Sequence, residues 1–260
     1  MITYNEDLSK HSTIGIGGKA SVFITPKNLN ELILAIRNIN SNKVFILGNG
    51  SNTLFKDKGF SGTVIKIKDN FNKIEKHGNK IYVESGVMIN DLIEKCIDHK
   101  LKDIECLAGI PGTVGGSIYM NAGFTKPIST LIEKVYCIDF KGKEYWFTNE
   151  ECNFGHRTSM FQNKKYIIIG CVLKLTEGDC RLKHMEYLKL RKDTQPIQYK
   201  SLGSVFIKNN LKDCQGWSVG DAEVKASYII NKGKATAEDV LKLIRKINTN
   251  SKLEIEIVGD

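Results

Sequence analysis

The sequence lacks the marks of exported, membrane-spanning and metal-binding proteins. Its seven cysteines form no CxxC pair and have no regular spacing, so we expect reduced thiols. The longest apolar run, YIIIGCVL at 166–173, is far shorter than the roughly 20 residues of a membrane-spanning helix. The N-terminus MITYNEDLSKHS has no secretory apolar segment, and the five histidines form no HExxH or close pair. We expect a cytoplasmic protein with no membrane insertion and no metal.

Arginine is also scarce, although the net charge is +9. The chain has 33 lysines and only five arginines, scattered along its whole length. Neither an arginine-rich arm nor a zinc finger is present, so we expect no nucleic-acid partner. A lysine-rich solvated surface explains the charge, and its excess attracts anionic small molecules. No protein partner is evident.

The first part of the chain alternates helix and strand patterns. TPKNLNELILAIRNI predicts an amphipathic helix, with Thr25 as its cap and Pro26 in the first helical position. Strands are predicted at 43–47 and 62–67. Farther along, KIYVES, KVYCIDF, GKEYWF and KYIIIGCVLKL predict strands, and MINDLIEKCIDH predicts a helix with one apolar side. The pattern predicts a mixed α and β protein.

The composition changes after residue 180. CRLKHMEYLKLRKDTQP predicts a charged helix that ends before Pro196. ATAEDVLKLIRKI predicts a helix capped by Thr236, and KLEIEIV predicts a closing strand with alternating side chains. In that strand Glu254 and Glu256 share a face, which is also typical of an exposed edge.

Two glycine-rich loops carry the strongest functional signal. AGIPGTVGGSIYMNAG spans 108–123, and LGNGSNT spans 47–53. Neither is a Walker loop, and the 47–53 loop, which comes first in the chain, lacks the third glycine of GxGxxG and a following helix. A nest of backbone N–H groups that binds phosphate is the remaining functional interpretation, although a Gly-Asn turn is often only a turn. Neither loop has the lysine or acidic residues of a Mg²⁺-nucleotide site, which favours a dinucleotide cofactor.

With their flanking residues, these loops closely resemble the flavin-binding loops of the UDP-N-acetylenolpyruvoylglucosamine reductase family. FGHRTSMF, GSVF, INKGKATAEDVLKLI and LEIEIV match as well, in the same order. The resemblance implies an α+β fold: a two-subdomain FAD-binding domain of the vanillyl-alcohol-oxidase type and a small C-terminal α+β substrate domain. The implied divisions are residues 1–68 and 69–179 for the FAD domain and 180–260 for the substrate domain.

The resemblance also implies a reaction and its residues. NADPH delivers a hydride to FAD, which passes it to the enolpyruvyl group of a UDP sugar in peptidoglycan synthesis. The matching catalytic residues are Arg157 for the carboxylate, Ser204 as proton donor and Glu256 as the acid that polarises the carboxyl group. Lys208 and Asn209 match the substrate-binding pair. The matching cofactor-binding residues are Gly48, Asn49, Gly50, Ser51, Asn52, Ile110, Pro111, Gly112, Thr113, Gly115, Gly116 and Asn121.

The chain departs from the family pattern at several positions. His156 stands where a tyrosine is usual, Ile207 intervenes after GSVF, and Ile255 replaces a proline. The segment 207–226 is shorter than the family's. Two alternatives therefore stay open: a flavin oxidoreductase for another substrate, and a non-catalytic FAD-binding relative.

Overall fold

A computed structural model describes residues 1–39, 43–207, 211–247 and 250–260. These ranges contain five helices: α1 Leu29–Arg37, α2 Ile89–Asp98, α3 Val114–Tyr119, α4 Arg181–Thr194 and α5 Ala237–Ile247. They also contain seventeen strands: β1 Ile2–Asp7, β2 Lys19–Ile24, β3 Val44–Leu47, β4 Thr53–Phe55, β5 Phe60–Lys66, β6 Ile74–His77, β7 Lys80–Glu84, β8 Leu101–Lys102, β9 Ile132–Asp139, β10 Glu144–Thr148, β11 Tyr166–Lys174, β12 Thr176–Glu177, β13 Lys200–Ser204, β14 Ser218–Val219, β15 Ala222–Lys225, β16 Tyr228–Asn231 and β17 Glu256–Val258.

Three sheets organise the described residues. The first has the order β1-β2-β5-β3, with β5 parallel to both β2 and β3. The second is antiparallel, in the order β10-β9-β11-β7-β6. The third is antiparallel, in the order β13-β16-β15-β14, and α5 packs against it. The predicted combination of α and β elements is confirmed.

The last strand returns to the first part of the chain. β17 pairs in parallel with β4, and the Glu256 N–H donates to the Asn52 carbonyl at 2.8 Å. A buried apolar cluster joins Ile14 and Leu54 to Val240 and Leu243 of α5. The end of the chain therefore lies beside the first glycine loop. The division into residues 1–68, 69–179 and 180–260 remains a proposal. β17 belongs to the last of these parts but pairs with β4 of the first.

Local signals explain most helix positions. The predicted apolar side of α2, from Ile89 to Ile97, is buried in the core of the second sheet. The Thr236 cap of α5 is confirmed by a reciprocal pair: Asp239 N–H donates to Thr236 Oγ1 at 3.1 Å, and Thr236 N–H donates to Asp239 at 3.0 Å.

The predicted Thr25 cap of α1 is wrong. The helix starts later, at Leu29, because the Asn28 side chain accepts the Glu31 N–H at 3.0 Å. Pro26 therefore precedes the helix instead of occupying its first position. None of the helices in the described ranges has the length and apolar content needed to cross a bilayer.

Candidate active site

A cleft runs between the first two sheets and reaches the third. Apolar side chains line the part between the two sheets: Val44, Ile46, Ile67, Phe140, Tyr166 and Ile167. Polar and charged side chains line the part nearer the third sheet: Arg157, Arg191, Gln195, Ser204, Tyr228, Glu254 and Glu256. Both glycine loops also line the cleft. Planar apolar and charged groups of one ligand therefore have separate places in the cleft.

The first loop presents free backbone donors to the cleft. The N–H groups of residues 48–52 donate to no acceptor within the described part of the chain. Gly50 has φ +66°, and a Cβ there would overlap the His11 carbonyl oxygen. Asn49 ties the two loops together, since its Nδ2 donates to the Pro111 carbonyl at 2.6 Å. This arrangement fits an anion held by successive N–H groups.

The second loop is rich in glycine mainly because neighbouring elements pack closely against it. It ends in α3, whose cap Thr113 accepts the Gly116 N–H through Oγ1 at 3.2 Å. A Cβ on Gly115 would lie 2.8 Å from the Ser85 Cβ, and a Cβ on Gly48 would lie 2.6 Å from Thr113 Oγ1. These two glycines let α3, β7 and the first loop approach closely. Direct access for a ligand explains Gly116 better, because only Thr113 Oγ1, at 3.5 Å, would meet its Cβ.

Substitution of the two adjacent glycines of α3 should separate these roles. We expect Gly115→Ala to lower the free energy of unfolding by about 1–2 kcal/mol, because the new methyl group overpacks against Ser85. Gly116→Ala should leave it unchanged or raise it by up to about 1 kcal/mol, since alanine favours a helix. Urea unfolding of the ligand-free chains measures both. Equal effects at the two positions would contradict the packing role of Gly115.

Arg157 lies in a strained turn and faces an acid that sequence reasoning missed as a site residue. Its φ is +58°, a region that few side chains other than glycine occupy. Its Nε is 2.8 Å from Glu254 Oε1, and its NH2 donates to the Gly123 carbonyl at 3.2 Å. Burial raises the pKa of Glu254, and the Arg157 charge opposes that rise. The acid nearest to Arg157 is thus Glu254 and not Glu256.

Asn121 supports this turn and is not among the residues that line the cleft, and its predicted cofactor contact stays a prediction. The buried side chain donates through Nδ2 to the Gly155 carbonyl at 2.8 Å and accepts the Ser129 N–H at 3.2 Å. Gln162 supports the other side, since its Nε2 donates to the Arg157 carbonyl at 3.0 Å. Both amides are therefore used to hold the backbone that carries Arg157.

Ser204 and Glu256 reach the same part of the cleft from different strands. Ser204 ends β13, follows Gly203 at φ +78° and pairs with Tyr228 across an irregular register. Its Oγ–H donates to the Phe206 carbonyl at 3.2 Å. Glu256 accepts from Lys164 Nζ at 2.8 Å. The structure thus brings Arg157, Ser204 and Glu256 into one cleft.

The remaining predicted residues divide into two groups. The predicted cofactor-binding residues from Gly48 to Gly116 all line the cleft, and Asn121 does not. Lys208 and Asn209 lie outside the described residues. Residues missed by sequence reasoning also line it: Ser85, Ser117, Tyr119, Arg191, Gln195, Tyr228 and Glu254. Ser117 and Tyr119 belong to the 108–123 motif itself, whereas the others come from distant segments and only long-range packing brings them to the two loops.

Unpaired polar atoms are concentrated in this cleft. Seven buried side-chain N or O atoms of the described residues have no hydrogen-bond partner. Five of them belong to residues that line the cleft. Arg157 Nε has Glu254 Oε1 as an ion-pair partner at 2.8 Å, which leaves four: Ser85 Oγ, Ser117 Oγ, Arg191 Nε and Gln195 Oε1. Native proteins rarely leave buried polar groups unpaired, so these atoms point to a polar ligand. Within the described ranges no cluster of three or more His, Cys, Asp or Glu side chains is placed to hold a metal ion.

Comparison with known proteins identifies the family to which this chain belongs. Residues 20–147 match the family model described as an FAD binding domain. UDP-N-acetylenolpyruvoylglucosamine reductase of Carboxydothermus hydrogenoformans is 36% identical, over 98% of this chain and 93% of that protein. The chain belongs to the UDP-N-acetylenolpyruvoylglucosamine reductase family. The membership predicted from the two glycine loops and the downstream motifs is confirmed.

Solved structures agree with this family membership. The crystal structure of UDP-N-acetylenolpyruvylglucosamine reductase from Thermus caldophilus has a TM-score of 0.87 at 29% identity and covers 100% of this chain and 98% of its own. The 6-hydroxy-D-nicotine oxidase from Arthrobacter nicotinovorans shares the fold alone, with a TM-score of 0.50 at 16% identity over 68% of this chain and 42% of that chain. The reductase family's fold class and its FAD cofactor, both expected from the sequence, are confirmed.

Proposed function

We propose that this chain is an NADPH-dependent flavoenzyme that reduces the enolpyruvyl group of a UDP sugar to give UDP-N-acetylmuramate. One observation carries the proposal. Arg157, Ser204 and the acids Glu254 and Glu256 line the same cleft as both glycine loops, although they are distant in sequence. A relative that had lost catalysis has no need to keep this combination, and the alternatives left open by the sequence are not favoured.

The residues of the cleft fit FAD. The free N–H groups of residues 48–52 suit its diphosphate, and the apolar walls around Phe140 and Tyr166 suit a planar ring. The unpaired hydroxyls of Ser85 and Ser117 offer partners for polar groups of the cofactor. When bound, FAD accepts a hydride from NADPH and transfers it to the carbon–carbon double bond of the substrate.

Arg157 stabilises the charge that this transfer creates. Hydride addition to a double bond conjugated with a carboxylate leaves an enolate, so negative charge grows on the carboxylate. The planar guanidinium suits a carboxylate through paired hydrogen bonds. Glu254 neutralises Arg157 in the structure, at 2.8 Å, and holds it facing the cleft. We propose that Glu256, which Lys164 holds at 2.8 Å, helps to polarise the same carboxyl group.

Ser204 protonates the remaining carbon. Its hydroxyl makes one hydrogen bond, at 3.2 Å to the Phe206 carbonyl, which is long for an O–H donor. An enolate carbon is basic enough to take a proton from a well-oriented hydroxyl. Lys208 and Asn209 remain proposed contacts of the UDP sugar. We propose that the reaction takes place in the cytoplasm and that residues 180–260 form the substrate-binding part.

The flavin should be FAD and should be bound without a covalent bond. Neither glycine loop contains a histidine or cysteine that could link to the flavin ring. Acid precipitation of the yellow protein should therefore release the flavin into the supernatant, where chromatography separates FAD from FMN. Flavin that stays in the precipitate, or released FMN, would contradict the assignment of the loops.

An anaerobic absorbance experiment tests the proposed function. NADPH should bleach the flavin, and the enolpyruvyl UDP sugar should restore its colour without oxygen. Recovery only after admission of oxygen would favour an oxidoreductase for another substrate. Absence of bleaching would favour a non-catalytic flavin protein.

A further inference from the structure

The basic side chains of the cleft are unequally neutralised. Among the described residues, three basic side chains line it: Arg157, Lys164 and Arg191. Arg157 pairs with Glu254 and Lys164 pairs with Glu256, each at 2.8 Å. Arg191 forms no ion pair with any acid in the described ranges, so among the three it carries the positive charge that no acid balances.

The position of Arg191 is nevertheless fixed. It lies on α4, and its guanidinium carbon is 5.0 Å from the centre of the Phe124 ring. The bare backbone of Gly109, at φ +67°, makes room for the side chain, because a Cβ there would lie 2.9 Å from Arg191 Cδ. A side chain held in this way loses little further freedom when a ligand arrives.

Burial makes the missing partner costly. Arg191 Nε is buried without a hydrogen-bond partner, and so is Oε1 of Gln195, the residue that caps the end of α4 and whose N–H donates to the Arg191 carbonyl. An unpaired buried charge is expensive unless an opposite charge is supplied. An anionic ligand group supplies it here.

We propose that Arg191 binds a phosphate oxygen of the UDP sugar, with Gln195 beside it. This inference rests on the proposed function, and it assigns part of the substrate site to α4. Three phosphate sources are chemically equivalent: FAD, NADPH and the UDP sugar. We assign the free N–H groups of residues 48–52 to the FAD diphosphate. Arg191 instead lies near Tyr228 of the third sheet, in the part of the chain proposed to bind the UDP sugar.

Arg191→Met tests the assignment, since methionine keeps much of the apolar volume without the charge. In the FAD-loaded enzyme we expect the KM of the UDP sugar to rise by about 10- to 100-fold, because a charge-assisted hydrogen bond is lost. Flavin content and the NADPH KM should stay near wild-type values, and kcat should change by less than about threefold. Arg191→Lys should recover part of the loss. Arg181→Met is the matched control, because Arg181 lies on the same helix but is exposed and outside the cleft.

Binding without turnover makes the test independent of the reductase activity. The dissociation constant of UDP for the oxidised, FAD-loaded enzyme is measured from the change in flavin absorbance, and Arg191→Met should weaken it by a similar factor. An unchanged KM and UDP affinity would overturn the inference, and so would loss of flavin or a rise confined to the NADPH KM. A wild-type chain that binds UDP through Arg191 but does not reduce the enolpyruvyl sugar would contradict the proposed function alone.

Discussion

Ser204→Ala should slow anaerobic reoxidation of the flavin by the UDP sugar at least about 100-fold, because a positioned general acid contributes about 10²–10⁴-fold. The same variant should keep its flavin content and its rate of reduction by NADPH. Within the described residues the Ser204 hydroxyl makes one hydrogen bond, to the Phe206 carbonyl, so its loss should disturb the fold little. Stopped-flow absorbance measures the two half-reactions separately.

Two further variants make the Ser204 result interpretable. Ser204→Cys should recover part of the rate, since a thiol is a donor of similar reach. Ser201→Ala is the control, because Ser201 belongs to the same strand but does not line the cleft. If both half-reactions fall equally in Ser204→Ala, Ser204 is structural. If neither falls, another group supplies the proton.

Arg157→Lys should lower turnover with the enolpyruvyl substrate by about 100-fold or more, as for loss of a donor that stabilises charge in a transition state. Lysine keeps the charge but not the planar pair of donors that suits a carboxylate. In addition, the substitution breaks the contacts that hold Arg157 between Glu254 and the Gly123 carbonyl. Steady-state turnover and the reoxidation half-reaction should fall together.

His156 supplies the comparison. Its side chain is exposed and does not line the cleft, so His156→Tyr or His156→Gln should retain most of the turnover. Near-normal turnover in Arg157→Lys, combined with loss of turnover in His156→Tyr, would show that the roles of these neighbours have been reversed.

Local patterns predicted much of this molecule from the sequence. Amphipathic periodicity located α2, and the capping pair of Thr236 and Asp239 located the start of α5. The capping signal of Thr25 and Pro26 misplaced the start of α1, because Asn28 caps the helix instead. Sequence patterns within one segment predicted a helix correctly where one capping side chain or one apolar face determined its position.

The full set of side chains in the cleft could not be predicted from single segments, because long-range pairing brings them together. Glu254 faces Arg157 because β17 pairs with β4, at the other end of the chain. Arg191 enters the cleft because Gly109 and Phe124 make a place for it. Asn121 lies in a glycine-rich motif and is predicted to touch the cofactor, whereas the structure shows a contact that the motif does not encode, since its amide holds the turn that carries Arg157. The motifs identified the two loops that line the cleft, and long-range packing determined which other side chains face it.

The most direct test of the central claim is the balance of the anaerobic reaction. NADPH and the enolpyruvyl UDP sugar are incubated with catalytic amounts of the flavin-loaded chain, NADPH loss is followed by absorbance, and the sugar is analysed by mass spectrometry. We predict that each NADPH consumed gives one UDP-N-acetylmuramate, the substrate gaining two hydrogens. Oxidation of NADPH without formation of this product, or no oxidation until oxygen is admitted, would contradict the account.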